Sequence, residues 1–195
     1  MTALKYVFPS LALCLLPLHA LANWQLNNEA SSLTFISTKN VNISEQHSFD
    51  RLSGTITPDG KISINVDISS LNTMIPIRNE RMQKMLFKAS EYANAKLIAS
   101  IDPATLALAP GETVETSVQG ELHIAGQAQT VSFSIRAVGL KAGGISAYTA
   151  QPTIINAAQW QLESGVEALR EVAGLANISL AVPLSFAVVF EKSED

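Results

Sequence analysis

One cysteine, three histidines and 15% charged side chains in 195 residues leave little of the usual material for an active site. The single thiol, Cys14, sits inside an apolar run over residues 7–18 that follows the lone basic residue Lys5. Ala20-Leu21-Ala22 then places small residues at the spacing a signal peptidase cleaves. This arrangement predicts a secretory signal over residues 1–22, with Asn23 as the first mature residue. Lipoprotein processing wants a small residue before the cysteine, where Leu13 stands, so the Ala20-Leu21-Ala22 site is the better fit. The apolar run is too short to cross a bilayer comfortably, and no other segment approaches that length, so no stable membrane insertion is expected.

The 195 residues less these 22 leave 173, enough for one domain over 23–195 with a sizeable core. Cys14 departs with the signal, which excludes disulfides, zinc–thiolate sites and thiol nucleophiles from the mature chain. Twelve basic side chains remain against 17 acidic ones, with no basic run, which argues against nucleic acid as a partner. A GxSxG elbow, a Walker loop and a GxGxxG turn are all missing. His123 falls on the polar face of its strand and reads as a solvated histidine. His47 lies beside Glu45 with the parity of Phe49, which suits a hydrogen-bonded histidine at a barrel rim or, alternatively, a base or ligand. Two histidines and scattered carboxylates make a thin donor set, and no metal or other cofactor is expected.

Alternating strand is what the sequence has in quantity. Over 114–124 the even positions carry Val114, Val118, Leu122 and Ile124, with Glu115, Ser117, Gln119, Glu121 and His123 between them. Segments 131–140 and 145–155 continue as an antiparallel meander, turned at Ala125-Gly126-Gln127 and at Gly143-Gly144. Earlier strands read over 33–38, 47–57 (bent near Asp50-Arg51), 62–68 after the Pro58-Asp59-Gly60 turn, and 96–102; a last one spans 178–191. Eight or nine strands with short turns favour an all-β closed barrel over a sandwich, because closure removes exposed edges.

Two segments have helical period instead. Residues 78–87 put Met82, Met85 and Leu86 on one side, with Arg81, Lys84 and Lys88 outside, and Met74 joins the methionines of this region. Residues 164–174 show the capping-box spacing of Ser164 and Glu167, an inward face of Val166, Leu169, Val172 and Ala173, and Gly174 as a stop. Inward strand positions mix Phe35, Phe49, Phe133 and Phe186 with Gly54, Ala99, Gly120, Ala137 and Ala147. Small residues among large ones leave room for a ligand, or interdigitate into a solid core; composition alone does not choose.

Several stretches carry a family resemblance. They include Trp24-Gln25-Leu26 with Ser32-Leu33-Thr34-Phe35, and His47-Ser48-Phe49 followed by Leu52-Ser53-Gly54-Thr55-Ile56. The most specific is Thr73, then Ile77-Arg78-Asn79, Met82 and Leu86-Phe87, then Tyr92-Ala93-Asn94-Ala95-Lys96-Leu97. Val118-Gln119-Gly120-Glu121-Leu122-His123-Ile124-Ala125-Gly126 with Val131 adds a hairpin. Together they resemble the YceI-like family of periplasmic polyisoprenoid-binding proteins. The resemblance implies an eight-stranded antiparallel, lipocalin-like barrel with two short inserted helices. Where that family commonly has an Asn-Arg-x-Asp-Phe-Gly-like segment, this chain reads Asn156-Ala157-Ala158-Gln159-Trp160-Gln161.

The resemblance implies binding rather than catalysis: a periplasmic protein that sequesters or transports an isoprenoid, such as a quinone, or a similar amphiphile inside the barrel. The lining expected on that basis is Phe35, Phe49, Met82, Met85, Phe133, Trp160 and Phe186, with Arg78 and Asn79 as polar contacts. The alternatives are a lipid- or quinone-modifying enzyme with His47 as acid or base, and a stress-response module with a packed core. Homodimerisation through strand edges or end helices stays open.

Overall fold

The computed structural model describes residues 24–193, so the signal segment expected over 1–22 lies outside the described residues. The strands in chain order are β1 (Trp24–Lys39), β2 (Ile43–Phe49), β3 (Leu52–Ile56), β4 (Lys61–Asp67), β5 (Leu71–Asn72), β6 (Asn94–Ser100), β7 (Thr113–Ile124), β8 (Gln127–Gly139), β9 (Ile145–Thr149), β10 (Thr153–Asn156) and β11 (Ala181–Lys192). Helix α1 (Pro76–Arg81) runs straight into a π-helical turn, Met82–Leu86, and α2 (Glu163–Val172) precedes β11. Neighbours run β1-β3-β4-β6-β7-β8-β9-β11, and β11 pairs back onto β1. Among the described residues this is a closed eight-stranded antiparallel barrel with two short helices.

The remaining strands raise the wall at one end, here called the upper end. β2 continues β3 past the expected bend at Asp50-Arg51 and pairs with the second half of β1, from Leu33↔Phe49 to Lys39↔Ile43. β10 continues β9 and pairs with the start of β11. The strand expected over 145–155 is therefore interrupted at 150–152, where Pro152 has no N–H to give to a ladder. The two opening segments, 24–26 and 33–38, are one 16-residue strand whose register on β11 shifts between Asn27 and Ser32. Ser31 bridges the irregularity, its hydroxyl donating to the Asn27 carbonyl at 2.6 Å and accepting from the Val189 amide at 3.0 Å.

The lower end is solid. Trp24, Ile56, Leu106, Ala137, Ile145, Val188 and Phe190 form a cluster across it, and the Trp24 indole N–H donates to the Gly143 carbonyl at 2.8 Å. At the two glycines among the small residues noted in the sequence, neighbours fill the space. A Cβ on Gly120 would stand 2.7 Å from Leu97 Cδ1, and one on Gly54 2.8 Å from the Ser63 carbonyl oxygen. Of the two readings that composition left open, interdigitation applies at these positions.

The upper end is crossed by the helices, both of which differ from the pattern-based boundaries. The first begins at Pro76, not Arg78, because proline at the first helical position gives up an N–H that would have no partner there. Its continuation widens into a π turn in which the Phe87 N–H donates to the Met82 carbonyl at 3.0 Å. Met82 and Leu86 of this turn are buried, whereas Met85 is half-buried. Met74 stands apart from the other methionines, 84% exposed. In α2 the capping box does not form: the helix starts at Glu163, and the Glu167 carboxylate is held by the Arg170 guanidinium at 2.6–2.9 Å. Gly174, at φ +63°, ends it as expected, with the Leu175 N–H donating back to the Arg170 carbonyl at 3.0 Å.

Gly165 is where the two helical segments meet. A Cβ there would lie 2.7 Å from the Met85 carbonyl oxygen and 2.9 Å from Leu86 Cα, both backbone atoms with no means of yielding. Gly165→Val is therefore expected to destabilise the fold by about 1–3 kcal/mol, the usual cost of overpacking, read as a lower urea midpoint.

Candidate functional site

Between the upper strand ends and the helices lies a cavity of about 420 Å³, within the ~300–1,000 Å³ usual for small-molecule sites. β1 contributes Leu33 and Phe35, β2 Phe49, the π turn Met82 and Leu86, α2 Val166 and Leu169, and β11 Val182 and Leu184. Trp160 closes another side. It is 1% exposed and its indole N–H donates to the Leu122 carbonyl at 2.9 Å. A 3-10 turn over Ala157–Trp160 sets this position, with the Asn156 side chain accepting from the Ala158 amide at 3.0 Å and Gln161 leaving the turn at φ +57°. That turn is the segment in which the chain departs from the pattern of the family it resembles.

One corner of the cavity is charged. The Asn40–Asn42 turn joins β1 to β2 in a register that sets Ser37 opposite Glu45 and Phe35 opposite His47. The Glu45 carboxylate is 2.5 Å from Lys39 Nζ and 2.9 Å from an Arg78 guanidinium nitrogen, so two cations share one anion. A second Arg78 nitrogen donates to the Thr73 carbonyl at 2.6 Å. The Lys39 hydrogen bond first, then Arg78, hold the Glu45 carboxyl below its ordinary pKa, against the opposing effect of burial. Arg81 also lines the cavity, contrary to its expected outward place, because it lies one turn beyond Arg78 on the same helix face.

His47 is 3% exposed, its Nε2 lies 2.9 Å from the Ser37 hydroxyl, and its ring meets Phe35 edge-on at 5.2 Å. Burial, and then the nearby Arg78 charge, push its pKa down, so the ring is neutral at pH 7. His47 Nδ1 and Arg78 Nε are buried without a protein partner. Buried polar atoms are costly when unpaired, so this corner suits a ligand oxygen that accepts hydrogen bonds. Glu45 is committed to its two cations, so it does not orient the imidazole as a catalytic carboxylate would. His123 is far away on β7, half-exposed, with Nε2 2.6 Å from Glu121 Oε1.

Of the nine residues expected to line a site, the cavity brings together Phe35, Phe49, Arg78, Met82 and Trp160. Asn79, Met85, Phe133 and Phe186 are not in its wall. Asn79 instead accepts from the Thr73 amide and hydroxyl at 2.9 and 2.6 Å, fixing the entry to α1. Phe133 and Phe186 pack on each other edge-to-face, 5.8 Å apart, within the barrel core. Lys39 and Ser37 were not singled out from the sequence, although the hairpin register and the shared parity of Glu45 and His47 carry the signal.

The depressed His47 pKa links stability to pH. The unfolded chain protonates this histidine near 6.5 and the folded chain only at lower pH, so stability is lost as pH falls below 6.5. His47→Gln removes that contribution. The expected result is a smaller drop in Tm between pH 7.5 and 5.5 than the unmodified protein shows, read by thermal melts across that range.

No curated protein matches the chain. A solved polyisoprenoid binding domain from Saccharophagus degradans, implicated in plant cell wall breakdown, is 35% identical, with a TM-score of 0.85 over 87% of this chain and 98% of that one. BcnA of Burkholderia cenocepacia shares the fold at 18% identity and TM-score 0.64, covering 84% of this chain and 98% of its own. The Campylobacter jejuni YceI protein does so at 18% and 0.57, over 81% and 91%. The YceI-like domain matches residues 24–190, nearly all that the structure describes, and the chain belongs to that family.

Proposed function

We propose that this protein is a periplasmic carrier for an isoprenoid, such as a quinone, or a similar long-chain amphiphile. The tail would lie against the apolar walls and the polar end against His47 and Arg78. The observation that carries this reading is the distribution of polarity in the cavity, apolar on nearly every side and charged at a single corner. An amphiphile has the same distribution. The Saccharophagus degradans domain, similar over most of this chain, is a polyisoprenoid binding domain, which supports the choice of tail. Export is supported by the signal-like residues 1–22, which end two residues before the family match begins.

The energetics favour a tail of this kind. Burying one five-carbon unit is worth roughly 3 kcal/mol gross, at about 0.8 kcal/mol per CH₂-sized group. A few units exceed the cost of ordering a flexible chain and immobilising it. Such a molecule scarcely dissolves in water, so a soluble container gives it a route between membranes.

Native mass spectrometry and fluorescence displacement test this with an isoprenoid quinone as the probe. One molecule is expected per protein chain. Leu169→Trp, which fills the cavity from α2, should weaken binding at least tenfold while leaving the circular dichroism spectrum unchanged. Arg78→Met should weaken the quinone more than a headless isoprenoid hydrocarbon of equal length. Absence of uptake by the unmodified protein, or full uptake by the Leu169→Trp protein, overturns the reading.

A further inference from the structure

Among the described residues eight large apolar side chains are exposed; at the upper end Ile154 stands on β10, and six others stand around the cavity mouth: Val41, Ile43, Met74, Ile75, Ile77 and Val172. Ile75, Ile77 and Val172 also line the cavity, so being both lining and exposed they mark its mouth. Val41 lies in the β1–β2 turn and Ile43 begins β2 just after it; the turn is tied to the segment after α2. The Asn40 and Val41 amides donate to Asn177 at 3.1 Å each, and the Ala176 amide donates to the Asn40 side chain at 2.9 Å. Met74 adjoins Ile75. The six therefore form one rim.

Two members are held there against their own backbone preference. Val41 has φ +71° and is 70% exposed; Met74 has φ +62° and is 84% exposed. A left-handed backbone is unfavourable for any side chain and most so for a β-branched one. Hydrogen bonds from neighbouring residues maintain both, including the Met74 amide on the Asn72 side chain at 3.0 Å. Solvent exposure of these side chains gains the fold nothing, so the strain presents apolar groups outward at a chosen place.

Inside the mouth the charges have one dominant sign. Lys39, Arg78 and Arg81 line the cavity against the single acid Glu45, an excess of two positive charges in a chain whose formal charge is −4. On the outer side of α2, Arg170 is outnumbered by Glu167 at 2.6 Å and Glu171 at 3.7 Å, so the positive excess is confined to the mouth. An apolar rim surrounding a positive mouth is complementary to a surface with negative headgroups above hydrocarbon. We infer that the rim docks the cavity mouth onto a lipid bilayer containing anionic lipids, so that an apolar chain passes between bilayer and cavity without entering water. The purpose rests on the carrier reading, whereas the docking itself is measured with no such chain present.

The test is flotation of the unmodified protein with vesicles of phosphatidylglycerol and phosphatidylethanolamine, compared with vesicles of phosphatidylcholine alone. Binding to the anionic vesicles is expected to be at least tenfold stronger and to weaken with added salt. A double variant, Val41→Gly with Met74→Gly, removes two apolar side chains at positions where glycine is at ease. It should bind anionic vesicles at least tenfold less, while Tm stays level or rises and uptake of an isoprenoid quinone from solution is unchanged. Failure of the unmodified protein to float, or equal flotation of the variant, overturns the inference. So does a dimer in sedimentation equilibrium that the double variant abolishes, since the rim would then belong to a second copy. Loss of quinone uptake by the unmodified protein, with vesicle binding intact, would instead overturn the carrier reading alone.

Discussion

Pairing of β1 with β11 is the constraint on which everything else depends. Without it the ring from β3 round to β9 is an open sheet with two long edges, and the side chains facing inward have no enclosed space to share. With it, the sheet has no edges at mid-height and only two ends. The lower end is stopped by large side chains meeting over small ones, Trp24 and Phe190 beside Ala137. The upper end is not stopped by strand residues, because β2 and β10 carry the wall past the packed interior. Helical segments lie across the gap, and the enclosed volume is what they leave unfilled.

The charged corner follows from this asymmetry. A lysine, an arginine and a glutamate in a mostly apolar wall would be costly separately, since removing an ion from water is repaid only by good partners. Sharing the Glu45 carboxylate between Lys39 and Arg78 satisfies the anion twice and each cation once. It leaves Arg78 Nε and His47 Nδ1 without protein partners, His47 Nε2 being paired with the Ser37 hydroxyl. Apolar volume and unpaired polar atoms thus occur side by side.

The legible part of the fold was the part governed by period and turn chemistry. Alternation over 114–124 became β7, the bend at Asp50-Arg51 separated β2 from β3, and Gly174 stopped α2, each a matter of neighbouring residues. What failed depended on contacts between distant segments. Glu167 had two offers, the N-terminus of its helix and Arg170, and only tertiary structure shows that the arginine prevailed. The π turn has no signature in apolar spacing, because the spacing assumes 3.6 residues per turn, and Met85 within it is not in the cavity wall. The small residues Gly54 and Gly120 correctly marked a change of side-chain size, yet the open volume lies elsewhere, under the helices. Lys39, Glu45 and His47 were readable from one hairpin register; Arg78 joined them only through the placing of α1.

The two tryptophans occupy opposite ends of the barrel, Trp24 in the solid end and Trp160 in the cavity wall. Each indole N–H is engaged by a backbone carbonyl, so each chromophore has a fixed orientation. With the proposed guest in the cavity, light absorbed by Trp160 would be emitted from a site of altered polarisability, while Trp24, outside the cavity wall, would keep its neighbours. Intrinsic fluorescence of the unlabelled protein therefore contains both a sensor of occupancy and its internal reference.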